Sequence, residues 1–93
     1  MPIQTHFAIQ ATGGFVIIPD DVVLIRDSPT NLKHYGHCAL YIGGAGDLNA
    51  VMADGTTVLF VGLLAGTFVP VQVVQVLAAS TTCTNIVGLV NQE

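Results

Sequence analysis

From Gly55 to Gln92 the chain carries no Lys, Arg, Asp or Glu. A run that long without charge must enter a membrane, fill an interior, or face another protein. The membrane reading has some appeal, because Val58 to Ala79 is apolar enough for a hydropathy window. Yet Gly62, Gly66, Pro70, Gln72 and Gln75 interrupt it, Val outnumbers Leu, and no Lys or Arg flanks it to set an orientation. A spanning helix needs an unbroken apolar stretch. Glycines at intervals and a central proline punctuate short strands and turns instead.

The whole chain repeats the pattern. Charged residues are 9% of 93, against about 25% in an ordinary domain, and apolar residues are 52%. Such a chain buries enough apolar surface to offset its ordering entropy, so disorder is excluded. The length allows a single β-domain over 1–93, with 1–14 as an extended N-terminal arm. A domain this small buries only about 60–65% of its unfolded surface. Much of this apolar chain therefore stays outside, and large exposed apolar patches mark contact sites. Composition points to a subunit of something larger.

Net charge is −4, and Arg26 and Lys33 are the only Lys or Arg residues. Nucleic-acid binders and anionic-membrane binders both need clustered cations. Neither partner is expected. Cys38 and Cys83 are too few for a disulfide framework. Two buried thiols are expected, with a single bridge as the alternative. Met1 to Gln10 has no basic n-region and no continuous apolar stretch, so no signal peptide is expected.

Along the chain, short strands alternate with Gly-, Asp- and Pro-marked turns. His6 to Ala11 is a possible first strand, ended by Gly13-Gly14. Phe15 to Ile18 is stopped by Pro19-Asp20-Asp21, and Val22 to Ile25 is a β-branched run suited to a strand. Asp27 to Gly36 is the most polar segment and reads as a surface loop. Cys38 to Ile42 is a compact strand closed by Gly43-Gly44-Ala45-Gly46-Asp47. Leu48 to Met52 and Thr57 to Val61 flank Asp54-Gly55, a hairpin signal of type I′. After a turn over Gly62 to Gly66, Thr67 to Leu77 is the longest strand. Its valines change parity between Val73 and Val74, which predicts a β-bulge there. Ser80-Thr81-Thr82 turns the chain and Ile86 to Val90 closes it. The expected fold is all-β, a small antiparallel sandwich or barrel of about 6–8 short strands.

Reactive side chains cluster only at His34-Tyr35-Gly36-His37-Cys38. Adjacent strand residues point to opposite faces, so His37 and Cys38 do not converge on one metal. Structural zinc needs a second ligand pair, and none follows. A Cys–His nucleophile lacks an orienting Asp or Asn. Asp20, Asp21, Asp47 and Asp54 sit where turns use Asx side chains. Gly43-Gly44-Ala45-Gly46 lacks the helix or basic partner of a phosphate site. No catalytic residue, metal or cofactor is expected.

From Ala39 onward the order of blocks resembles a known family. Ala39-Leu40-Tyr41-Ile42-Gly43-Gly44-Ala45-Gly46-Asp47, Met52-Ala53-Asp54-Gly55-Thr56-Thr57-Val58, Ala65-Gly66-Thr67-Phe68-Val69-Pro70-Val71, Thr81-Thr82 and Ile86-Val87 look like the spike base proteins of gene transfer agents and related tailed-phage heads. Ile18-Pro19-Asp20-Asp21 is similar to that family's Thr-Pro-Ser-Asp segment. The resemblance runs from Phe15 to Val90. It departs at Cys38, where the family usually has Arg, and at Gln72, Val74 and Gln75, where basic residues are common. Ser80 replaces the family's usual Gly, and Gly88-Leu89-Val90 its terminal Ala-Leu-Tyr/Trp.

The resemblance implies a non-enzymatic virion protein on the outer capsid surface: a homo-oligomeric head spike base or a decoration (cement) subunit. Its partners would be itself (a pentamer favoured over a trimer), the major capsid protein and a spike fibre. The loop residues Arg26, Asp27, Lys33, His34, Tyr35 and His37 are the candidate contact with capsid or fibre. Phe68, Val69, Val71 and Val74 are the candidate subunit-interface strand. Two rivals are a stand-alone small-ligand or carbohydrate-binding β-module and a metalloenzyme using His34, His37 and Cys38.

Overall fold

The computed structural model describes residues 11–91. Six strands, β1 (Gly13–Val16), β2 (Cys38–Gly44), β3 (Gly46–Met52), β4 (Thr57–Leu63), β5 (Thr67–Val76) and β6 (Thr84–Val90), form one antiparallel sheet in the order β1-β6-β2-β5-β3-β4. A single 3₁₀ turn, Ile25–Asp27, precedes the polar loop. The all-β expectation holds.

Alternation builds the core. Leu40 and Ile42 of β2, Leu48 and Ala50 of β3, Val69 and Val73 of β5, and Ile86 and Val90 of β6 all point inward and are buried. Fully burying a Leu, Ile or Val contributes roughly 1.5–3 kcal/mol, so these positions supply the main driving force. Phe15, Ile17 and Ile25 close one end.

β5 determines the shape. Its first half pairs with β2 (Thr67 with Ile42, Val69 with Leu40) and its second half with β3 (Gln75 with Val51, Val76 with Ala50). The register shifts on both sides: Cys38 and Leu40 face Val73 and Val69, and Val51 and Met52 face Gln75 and Val73. The expected bulge near Val73-Val74 is therefore present. It inverts the inward parity, so that the neighbours Gln75 and Val76 are both buried. A strand that switches partners through a bulge makes the corner of a sandwich.

β2 and β3 flank β5 from opposite sides although only Ala45 separates them. Gly43 to Asp47, expected as a turn, is a bent continuation of strand. Close approach explains the glycines. A Cβ on Gly43 would lie 2.7 Å from Asn85 Cβ, and one on Gly46 2.5 Å from the Cys83 backbone nitrogen. Asp47 O accepts hydrogen bonds from the Thr82 and Cys83 N–H groups (2.9 and 3.1 Å). Thr82 Oγ1 and Thr81 Oγ1 accept from the Asp47 and Asn49 N–H groups, both at 2.9 Å. The late Thr pair thus fastens the β5–β6 connection to β3.

Three further expectations change. Val22 to Ile25 is not a strand, because Asp20 Oδ1 captures the N–H groups of Val22 (2.7 Å) and Val23 (2.9 Å) and curls the chain. Gly13-Gly14 is not a turn but the start of β1, facing Val90 and Leu89. The Asp54-Gly55 hairpin exists, yet only Gly55 has positive φ (93°) and its N–H donates to Met52 O at 2.9 Å. That is a type I turn ending in a left-handed glycine, not type I′. The possible first strand, His6 to Ala11, lies outside the described residues except for Ala11, and so does most of the 1–14 arm.

Gly46→Ala should cost at least about 2 kcal/mol by urea unfolding, since an inserted methyl meets backbone rather than a movable side chain. Gly36→Ala, with open space around it, should stay within about 0.5 kcal/mol. Equal costs at both positions would overturn this account of the β2–β3 crossing.

Candidate functional site

The polar loop is rigid because of one buried amide. Asn31 is 1% exposed. Its Nδ2 donates to Ile25 O (3.0 Å) and Tyr35 O (2.9 Å), while Oδ1 accepts from the Tyr35 N–H (3.1 Å). Thr30 Oγ1 donates to Val16 O, laying the loop against β1. Tyr35 stacks on Phe15 with ring centroids 6.2 Å apart and planes 12° from parallel.

Around this anchor the expected contact residues separate. Arg26, Asp27, Lys33, His34 and His37 are exposed, whereas Tyr35 is half-buried and holds the loop to the core. Arg26 and Asp27 lie 3.9 Å apart, each side chain 63% exposed, so their charges offset locally. Among the described residues, Lys33 enters no such pair. His34 sits at φ 54°, its Nδ1 2.9 Å from Arg26 O. Sequence reasoning missed Asn31. Its signal was the neighbourhood of turn formers Ser28, Pro29 and Thr30, in which an Asn bonds nearby backbone.

Of the interface residues on β5, Phe68 faces outward, Val71 and Val74 are half-buried, and Val69 belongs to the core. Two further apolar surfaces are exposed. One is β4, which among the described residues pairs only with β3 and exposes Val58, Leu59 and Val61. The other is Val16, Ile18, Val22 and Val23 beside β1. It adjoins a pocket of about 140 Å³ whose walls include Ile17, Leu24, Ile25, Pro29 and Val76.

The titratable groups serve structure. The Val23 and Val22 N–H groups hold the Asp20 carboxyl below its ordinary value, and the Thr56 hydroxyl and N–H do the same for Asp54. A depressed carboxylate stabilises the fold at neutral pH and loses that contribution as acid protonates it. Asp21 Oδ1 accepts from the Ala79 N–H and Asp47 Oδ1 from the Gly62 N–H, so these two tie distant segments rather than local turns. Burial pushes the Cys38 thiol up to about 12 and raises that of Cys83; both are free and buried. Cys38 is therefore a protonated core thiol beside an exposed His37. Among the described residues, no three His, Cys, Asp or Glu side chains gather as metal ligands would. No described helix is long and apolar enough to cross a membrane.

No family model and no curated protein matches the chain. Among solved structures it is similar to a chain of the capsid of a native gene transfer agent (GTA) particle computed with C5 symmetry. The two are 28% identical with a TM-score of 0.68, and the likeness covers 96% of this chain and 99% of that one.

Asn31→Ala leaves two carbonyls and one N–H without their partner and should cost about 2–4 kcal/mol in urea unfolding; a loss under about 1 kcal/mol would remove Asn31 as the loop's anchor. Both thiols should resist a thiol-specific disulfide reagent at pH 8 in the native protein and react at once in denaturant. A thiol that reacts fast in the native state would revive the nucleophile reading.

Proposed function

We propose that this chain is a non-enzymatic virion structural protein, a homo-oligomeric head spike base or decoration subunit bound to the outer surface of a capsid. The carrying observation is the likeness to a GTA capsid chain along nearly the whole length of both proteins. The surface chemistry supports it. Val22, Leu32, Val61 and Leu64 are each more than 70% exposed, which suits a subunit that meets neighbours. The C5 symmetry of that particle is the symmetry a pentameric vertex base would need, so five copies are favoured over three.

Capsid contact then falls to the loop Arg26 to His37, where Lys33 pairs with no described carboxylate, through shape-complementary and backbone contacts. The carbohydrate-module rival gains little: no aromatic ring on which a sugar could stack lines the pocket beside Ile17.

Native mass spectrometry of the purified chain at micromolar concentration should show a pentamer. A trimer would favour decoration at three-fold positions, and a monomer would overturn assembly of the chain by itself. On capsids, Lys33→Glu should lower occupancy by about two- to five-fold, the size of one exposed ion pair. Arg26→Ala should change it less, because Asp27 already offsets that charge. Unchanged occupancy for Lys33→Glu would overturn the loop as the capsid contact.

A further inference from the structure

Among the described residues, the sheet has two free edges, β1 and β4. An open edge presents unpaired N–H and C=O groups, and natural proteins blunt it with Lys, Pro, bulges or a covering segment. β4 (TVLFVGL) has neither charge nor Pro. Its bulge lies at the far end, where Leu63 and Phe60 face Gly46 and Leu48, and Gly62 N–H is already taken by Asp47 Oδ1 at 2.9 Å. From Thr57 to Phe60 the register against β3 is unbroken. Val58 is 38%, Leu59 48% and Val61 71% exposed. This is a strand-ready edge with apolar side chains beside it.

The chain also holds a segment suited to that edge. Residues 1–10, outside the described residues, contain no charged side chain, and Ile3, Thr5, Phe7 and Ile9 alternate with Gln4, His6, Ala8 and Gln10. Period-2 alternation is what a strand with one apolar face requires. Just inside the described chain, Thr12 N–H donates to Val90 O at 2.7 Å. Ten residues beyond it reach about 33 Å, more than the roughly 23 Å that seven strand residues occupy. The arm leaves beside β1, and β4 stands at the opposite end of the strand order. A donor patch and a different acceptor patch on one subunit make a head-to-tail contact, the kind that closes rings.

We propose that residues 1–10 of one copy add as a strand to β4 of the neighbouring copy, the main chain supplying the hydrogen bonds and the alternate side chains the fit. This rests on the homo-oligomeric reading above and names the surface that would hold the ring.

The test compares three proteins by native mass spectrometry and by amide hydrogen exchange of Thr57 to Val61: the full chain, a variant lacking residues 2–10, and Leu59→Lys. The full chain should be oligomeric, with these amides protected about 100-fold more than in the truncated chain. The truncated chain should be monomeric, with its native β-sheet circular dichroism retained. Leu59→Lys, at an already exposed position, should fold and also fall to monomer. An oligomer of unchanged size and protection without the arm overturns strand exchange and leaves the homo-oligomeric reading standing. A monomeric full chain overturns both; if its β4 amides are nonetheless protected, the arm closes its own subunit's edge.

Discussion

Everything in this molecule depends on β5 being shared. One ten-residue strand serves β2 with its first half and β3 with its second. It does so only because the bulge around Val73-Val74 rotates the inward face partway along. Without that shift Val76 would point outward and Leu48 and Ala50 would lose their cover. The shared strand forces β2 and β3 to opposite sides of β5, which forces the chain to cross at Ala45, which demands glycine at positions 43 and 46. A valine parity change, a glycine-rich run and a threonine pair far apart in sequence are therefore one device.

With so few charges the protein stabilises its connections by other means. Side-chain oxygens and amides bond directly to backbone: Asp20 to Val22 and Val23, Asp47 to Gly62, Asn49 Nδ2 to Ala79 O, Gln75 Nε2 to Asp20 O. Such bonds satisfy backbone groups of the connections directly, whereas an exposed ion pair contributes a median of only about 0–1 kcal/mol. Salt screens exposed ion pairs and leaves short bonds to backbone far less affected. The connections are held through bonds to backbone, so ion pairs are not needed on the surface for stability.

What was legible in the sequence follows from how local its cause is. The Asp54-Gly55 hairpin, the bulge in β5 and the strand at Leu40 and Ile42 have causes within a few residues, and each was visible. The I′ turn was wrong by one residue's φ, because Thr56 captured Asp54 instead. Val22 to Ile25 has strand composition but sits under an Asp20 carboxylate that curls it. Gly43 to Gly46 has the composition of a loop and the role of a crossing, because the cause is β6 lying against it. Asn31 carries the loop through bonds to Ile25 and Tyr35, and nothing about an Asn in a polar run announces burial. Tyr35 was grouped with the contact residues because it lies in the polar loop, and its ring stacks on Phe15. Val69 was grouped with the interface strand because it lies in the charge-free run, which does not say which face is inside; it is buried in the core.

The same reasoning bears on why so apolar a chain can exist folded at all. A sandwich that closed its sheet fully would leave no backbone exposed, and its outer side chains would have to be polar to stay dispersed. Among its described residues this one keeps both edges open and leaves Val16, Leu59, Val61 and Leu64 outside. An isolated molecule with those edges and a net charge of only −4 has little to prevent edge-to-edge association. On the homo-oligomeric reading proposed above, association is what such a surface serves, and the remaining choice is between open fibres and closed rings. Two different edges, β1 and β4, favour rotation with closure over a two-fold pairing of like with like. On the proposed reading a capsid vertex would supply a template of fixed order for such a ring, which joins the sheet edges to the likeness with a GTA capsid chain.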